Sequence, residues 1–267
     1  MRFFILFGLF IFQLVILSAC TVSKAENGPR IEVSAYEEKS IEVRASQGLE
    51  VSCEAGKIEV FTWDKRMIKF EITKKIRGCG EKSTLEEKIN DFDIEIKEKE
   101  SKIFFKSVFS SKSKKYLEGS TNMTVYIPKN RCVLNWKQNT GNIRFLDEIK
   151  GVLDFDLSSA NLEINKLDGI ISVKGDSGNV RISNGRISGQ SSIVKNYGNI
   201  KVKAEFDENG DYEFKTGVGN IDLSLPGNSQ LSVESVGALE INEFYSPSNP
   251  AKVRISSSMG SLSARKY

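Results

Sequence analysis

From Thr140 onward, apolar residues occupy alternate positions in a pattern that returns about every 20 residues. Its marker is the phrase Gly141-Asn142-Ile143. It recurs as Gly178-Asn179-Val180, Gly198-Asn199-Ile200 and Gly219-Asn220-Ile221. Weaker copies are Ala160-Asn161-Leu162, Gly237-Ala238-Leu239 and Gly260-Ser261-Leu262. Between middle residues the steps are 19, 18, 20, 21, 18 and 23. The first and third residues after each middle are apolar: Ile143/Phe145, Leu162/Ile164, Val180/Ile182, Ile200/Val202, Ile221/Leu223 and Leu239/Ile241, with Leu262/Ala264 in a last partial copy. A second apolar pair precedes most copies, as in Leu153/Phe155, Ile171/Val173, Tyr212/Phe214 and Val253/Ile255. Alternation at period two means half-buried strands. A repeat near 20 residues predicts an all-β fold, a β-solenoid (β-helix-like) of two-strand coils, each burying its face on the next.

Upstream, residues 31–139 form an irregular part of the same unit. Ile31-Glu32-Val33, Ile41-Glu42-Val43, Leu49-Glu50-Val51 and Ile68-Lys69-Phe70-Glu71-Ile72 alternate as strands, and Gly56-Lys57-Ile58 echoes the phrase. Trp63-Asp64-Lys65-Arg66 reads as a turn. Ser83 and Glu86 stand at capping-box spacing, and Leu85, Ile89 and Phe92 share one helical face, so a short helix is expected over 83–92. Residues 140–267 are the regular coils.

The first 19 residues change the picture. Arg2 precedes an apolar run, Phe3 to Ile16, too short for a comfortable membrane span. It ends in Leu17-Ser18-Ala19-Cys20, which resembles a bacterial lipobox, whose cysteine is acylated and becomes the first mature residue. The resemblance implies a signal peptide over 1–19, a lipidated tether over 20–30, and membrane attachment through Cys20. Thr21 is not the aspartate that holds lipoproteins in the inner membrane, so outer-membrane sorting is favoured in a Gram-negative host. Cys53, Cys79 and Cys132 remain. They read as three small buried hydrophobes, with a bridge from Cys79 to Cys53 or Cys132 as the alternative.

Composition excludes more than it assigns. A net charge of +3 gives no case for nucleic acid, and the absence of histidine removes histidine triads, histidine metal sites and histidine pH switches. With no Cys-x-x-Cys pair and no Gly-Gly-x-Gly-x-Asp phrase, neither a metal nor any other cofactor is expected. The residues Gly141, Asn142, Asn161, Gly178, Asn179, Gly198, Asn199, Gly219, Asn220, Gly237 and Gly260 read as structural corners rather than a ligand motif, because glycine turns the chain and asparagine bonds neighbouring backbone. The carboxylates Asp154/Asp156, Asp207/Glu208, Asp222 and Glu240/Glu243 recur at no shared register, so no catalytic residues are assigned. Lys112-Ser113-Lys114-Lys115-Tyr116 reads as a solvated loop. Trp63 and Tyr126 would stack on sugars if exposed, whereas Trp136 alternates with Cys132 and Leu134 and belongs to the core.

Val125-Tyr126-Ile127-Pro128-Lys129, the Ser/Thr-Gly-Asn-Ile/Val phrases and Ile221-Asp222-Leu223-Ser224-Leu225-Pro226 together resemble the bacterial putative-adhesin domain family of unknown function. The resemblance covers about residues 31–267 and departs at the degenerate phrases and at 83–120. It implies a β-solenoid at the cell envelope and an adhesive role. The expectation is a lipid-anchored, non-catalytic, surface-binding module for a glycan or protein ligand. The alternatives are a scaffold that self-associates through terminal coils and, further off, an enzyme acting on polysaccharides.

Overall fold

The computed structural model describes residues 29–44, 47–99, 101–110, 117–129, 132–244, 249 and 251–267. The signal peptide, Cys20, most of the tether and the Lys112–Tyr116 loop lie outside the described residues.

The N-terminal part begins with β1 (Arg30–Glu42), β2 (Gly48–Trp63) and β3 (Met67–Cys79). Helix α1 (Lys82–Lys88) and a 3-10 turn (Ile89–Asp91) follow, close to the expected helix. The capping box does not form: Glu81 is the N-cap and makes no side-chain cap bond, leaving Ser83 inside the helix. The apolar face behaves as its spacing requires. Leu85, Ile89 and Phe92 pack with Val33, Ile76 and Phe109 in a small satellite core. Next come β4 (Phe92–Lys99), β5 (Lys102–Phe109) and β6 (Leu117–Pro128). Strands β1, β3 and β6 pair antiparallel, and β6 joins β2 in parallel.

The repeats occupy β7 (Cys132–Ser177), β8 (Val180–Ile182), β9 (Gly185–Ile187), β10 (Gln190–Tyr197), β11 (Ile200–Lys203), β12 (Glu205–Phe206), β13 (Asp211–Val218), β14 (Ile221–Leu225), β15 (Leu231–Asn242) and β16 (Ala251–Lys266). The structure is all-β, but the expected β-solenoid is corrected: the sheet closes into a seven-strand parallel barrel with extra strands outside. Following hydrogen-bonded neighbours, the ring runs β7–β10–β13–β16–β14–β11–β8 and returns to β7. Two long strands close it. β7 pairs with β10 near one end and with β8 further back. β16 pairs with β13 before Gly260 and with β14 after it. The 20-residue spacing is visible in the register, as Leu162↔Val180, Val180↔Ile200 and Ile200↔Ile221. Parallel pairing at that spacing is common to a solenoid and to this barrel. What separates them is whether the strands run on through the corners and return the ladder to its start.

The last two phrases also exchange places. Leu262 pairs with Ile221 on one side and with Leu239 on the other. β16 therefore lies between β15 and the ring strands β13 and β14, and β15 is the outermost strand of this part. The inner faces merge into one apolar core, in which Phe145, Phe155, Tyr212 and Phe214 are buried and Trp136 closes the end next to β2.

Candidate functional site

The repeated phrase builds two columns. Its glycines have φ between +108° at Gly178 and +148° at Gly219, a region that disfavours any side chain. Space is equally decisive: a Cβ on Gly198 would lie 2.3 Å from the Gly178 carbonyl oxygen, and one on Gly219 would lie 2.1 Å from that of Gly198. The asparagines form a ladder beside them. The backbone N–H of Asn179 donates to Asn161 Oδ1 (2.7 Å), that of Asn199 to Asn179 Oδ1 (2.8 Å), and that of Asn220 to Asn199 Oδ1 (2.8 Å). Ser261 N–H closes the series on Asn220 Oδ1 at 2.9 Å. The Asn side chains are thus spent on holding adjacent backbones, which are otherwise left without a regular ladder at a corner.

A third column went unseen in the sequence. The inward alternation continues one step further towards the corner and there turns polar. Gln138 Nε2 donates to the Gly56 carbonyl (2.9 Å), Thr216 Oγ1 to that of Gly198 (2.9 Å), and Ser257 Oγ to that of Gly219 (2.8 Å). Lys195, 1% exposed, donates from Nζ to the Ser177 carbonyl at 2.9 Å and fills the space that Gly175 leaves open. Burial lowers the Lys195 pKa below the ordinary lysine value. These side chains satisfy corner carbonyls and hold no open site.

Four of the outward carboxylates singled out in the sequence have partners. Asp156 pairs with Lys174, Asp207 with Arg186, Asp222 accepts from Ser263 Oγ, and Glu243 accepts the Lys266 N–H. Cross-strand pairs such as Glu59–Arg144–Glu163 line the outer pleat. Among the described residues, no group of three or more His, Cys, Asp or Glu stands together as a metal site.

Trp63 and Tyr126 are engaged with one another and with their neighbours. Trp63 stacks on Tyr126 at 5.2 Å and Phe61 on Tyr126 at 5.5 Å. Lys65 Nζ lies 4.8 Å from the Trp63 ring centroid and Lys69 Nζ 5.8 Å from that of Tyr126. The sugar platform considered for Trp63 and Tyr126 is therefore closed by the rings themselves and by lysine. Cys53 and Cys132 are both unbridged, so the alternative of a disulfide from Cys79 to either is set aside.

The concavity with an apolar floor lies at one end of the N-terminal part. Here β2 and β7 begin, β3 begins opposite, and β1 and β6 end. The cavity measures about 860 Å³. Its floor is core that reaches an opening: Leu49, Ile68, Ile127 and Leu134 are buried, with Met67 and Cys132 half-buried above them. One wall is tied down: Gln47 Nε2 donates to Glu98 Oε1 (2.7 Å), and Arg44 pairs with the same oxygen at 3.5 Å. The rim also carries Lys65 and Arg66 from the β2–β3 turn. The turn is held by Val43 N–H donating to the Arg66 carbonyl (3.0 Å) and by Trp63 Nε1 donating to the Met67 carbonyl (2.7 Å). The turn was expected from the sequence, but its place beside a cavity follows from pairings as distant as Leu49↔Leu134, which no local pattern carries.

No protein-family model matches the sequence, and no curated protein matches it. Among solved structures the fold is similar to a putative cell adhesion protein from Clostridium sporogenes, at 14% identity, covering 88% of this chain and 100% of that one, with a TM-score of 0.35. It is also similar to a putative lipid binding protein from Parabacteroides distasonis, at 15% identity over 87% of this chain and 96% of that one, with a TM-score of 0.45. A putative adhesin from Parabacteroides merdae is similar at 10% identity over 86% of this chain and 95% of that one, with a TM-score of 0.35.

Proposed function

We propose that the mature protein is a lipid-anchored, non-catalytic binding module of the bacterial cell envelope, and that the end cavity holds its ligand. The observation that carries the reading is the cavity itself. Buried core side chains floor it, half-buried Met67 lies above them and charged groups stand at the rim, the composition of a ligand site. Asp156, Asp207, Asp222 and Glu243, among the outward carboxylates, are engaged with other groups of the protein. The anchor rests on Leu17-Ser18-Ala19-Cys20.

Two experiments test this reading. Metabolic labelling with an alkyne fatty acid should mark the wild-type protein and not Cys20→Ser; equal labelling of both would remove the anchor. Immobilised mature protein should capture a component of envelope extracts that Met67→Arg, which places a charge over the cavity floor, fails to capture. Identical capture by both would remove the cavity as the site.

A second reading, self-association, is favoured by one observation. β15 is outermost, with Val236 74% and Leu239 43% exposed. A strict monomer in sedimentation at high concentration would dismiss it.

A further inference from the structure

We infer that the end cavity binds a single-chain amphiphile with an anionic head: an acyl chain over Leu134, Ile68 and Met67, and a carboxylate or phosphate against Lys65 and Arg66. The inference rests on the binding reading above and gives its ligand a chemical class.

Two features of the cavity require two different ligand parts. The floor belongs to aliphatic and thioether side chains, which reward removal of methylenes from water and offer no hydrogen bond. The rim is charged but unevenly so. On one wall Arg44 is already committed to Glu98, which also accepts from Gln47. At the β2–β3 turn Lys65 and Arg66 have no carboxylate partner among the described residues; Lys65 lies over the Trp63 ring instead. A neighbouring cation, Lys129, is taken by Asp64 at 3.0 Å, so the carboxylate of that turn does not neutralise them. Glu42 lines the rim too and is exposed. Among the described residues, two cations without a carboxylate partner against one such carboxylate leave the rim positive on the turn side. A guanidinium and an ammonium side by side suit an oxyanion, the first by a two-pronged contact and the second as a point charge. A wholly apolar ligand would leave these cations unused, and a small anion would leave the floor wet. An amphiphile satisfies both.

The cavity is also finite. At about 860 Å³ and open to solvent, it suits one chain of moderate length rather than a multi-chain lipid. Affinity should therefore rise with chain length, by about fourfold per methylene, and then level off.

The experiment uses the mature chain from residue 20, produced without lipid so that no acyl group of its own competes. Octanoate, decanoate, laurate and palmitate are titrated below their critical micelle concentrations, alongside monolauroylglycerol and phosphatidylglycerol vesicles. Binding is read by calorimetry and by the fluorescence of Trp63, whose indole is fixed to Met67 at the cavity. The expected result is saturable one-to-one binding that strengthens from octanoate to laurate. Lys65→Glu with Arg66→Glu should weaken laurate by about tenfold or more and monolauroylglycerol by much less. Met67→Arg should weaken both. Slower maleimide modification of Cys132 in the presence of laurate would add direct support, because its thiol lines the cavity.

Absence of saturable binding by any monomeric amphiphile overturns the inference, as does binding that neither variant alters. Binding to vesicles alone also overturns it, since that would be a membrane surface and not a cavity ligand. Unfolding midpoints of the variants matching the wild type exclude misfolding as the cause. If the acyl probes fail while capture from envelope extracts still depends on Met67, the ligand class is wrong and the binding reading stands.

Discussion

At the scale of single residues, the corner is the most constrained place in the chain. Gly198→Ala would set a Cβ 2.3 Å from the Gly178 carbonyl oxygen at a φ of +131°. A destabilisation of about 3 kcal/mol or more is expected, measured by urea unfolding. The adjacent Asn179→Ala removes only one acceptor, from the Asn199 N–H at an exposed rung, and should cost about 1 kcal/mol. The buried thiols give the protein an alkaline limit. Burial pushes Cys53 up to about 12 and Cys132 up to about 11, whereas thiols in an unfolded chain ionise near ~8.5. A folded value above the unfolded one means the stabilisation is whole below ~8.5 and is lost as pH climbs through the folded values. The urea midpoint should fall between about pH 9 and pH 11, and Cys53→Ser should flatten that fall. Residue roles at the corner were legible because glycine and asparagine have few other reasons to recur together. The inner column of Gln138, Lys195, Thr216 and Ser257 was not, because an alternating polar residue reads as outward until the corner carbonyls it serves are seen.

At the scale of elements, the strands announced themselves by period two and the helix by Leu85, Ile89 and Phe92, while their neighbours did not. β15 and β16 carry equally weak phrases, and nothing local says which lies inside. The structure places Leu262 at 0% exposure and Leu239 at 43%. Leu262→Ala should therefore cost about 2–5 kcal/mol, and Leu239→Ala well under half of that. The reverse order would restore the arrangement in which each phrase sits on the one before it. The expected solenoid was mistaken for a related reason. A register of Leu162↔Val180 and Ile200↔Ile221 fixes which residues pair, but not whether β7 and β16 carry the ladder round to meet itself. The end cavity was out of reach as well, since Leu49, Ile68, Ile127 and Leu134 come from four strands and read separately as ordinary core.

At the scale of the whole molecule, closure makes stability a property of the ring rather than of its repeats. Stacked repeats lose stability in proportion when one is removed; a ring that loses a member exposes two strand edges at once. A chain ending before Ala251 would strip β13 and β14 of their shared neighbour and leave β15 with no pairing partner. Such a chain should aggregate or be degraded rather than fold with reduced stability, and size-exclusion chromatography would show it. β16 also sets the order of events during synthesis. It lies between β15 and the strands β13 and β14, so β15 has no pairing partner until residues 251–266 have emerged. Under the export proposed from Leu17-Ser18-Ala19-Cys20, this order has a use: the outermost strand finds its place only after the last strand has crossed the membrane.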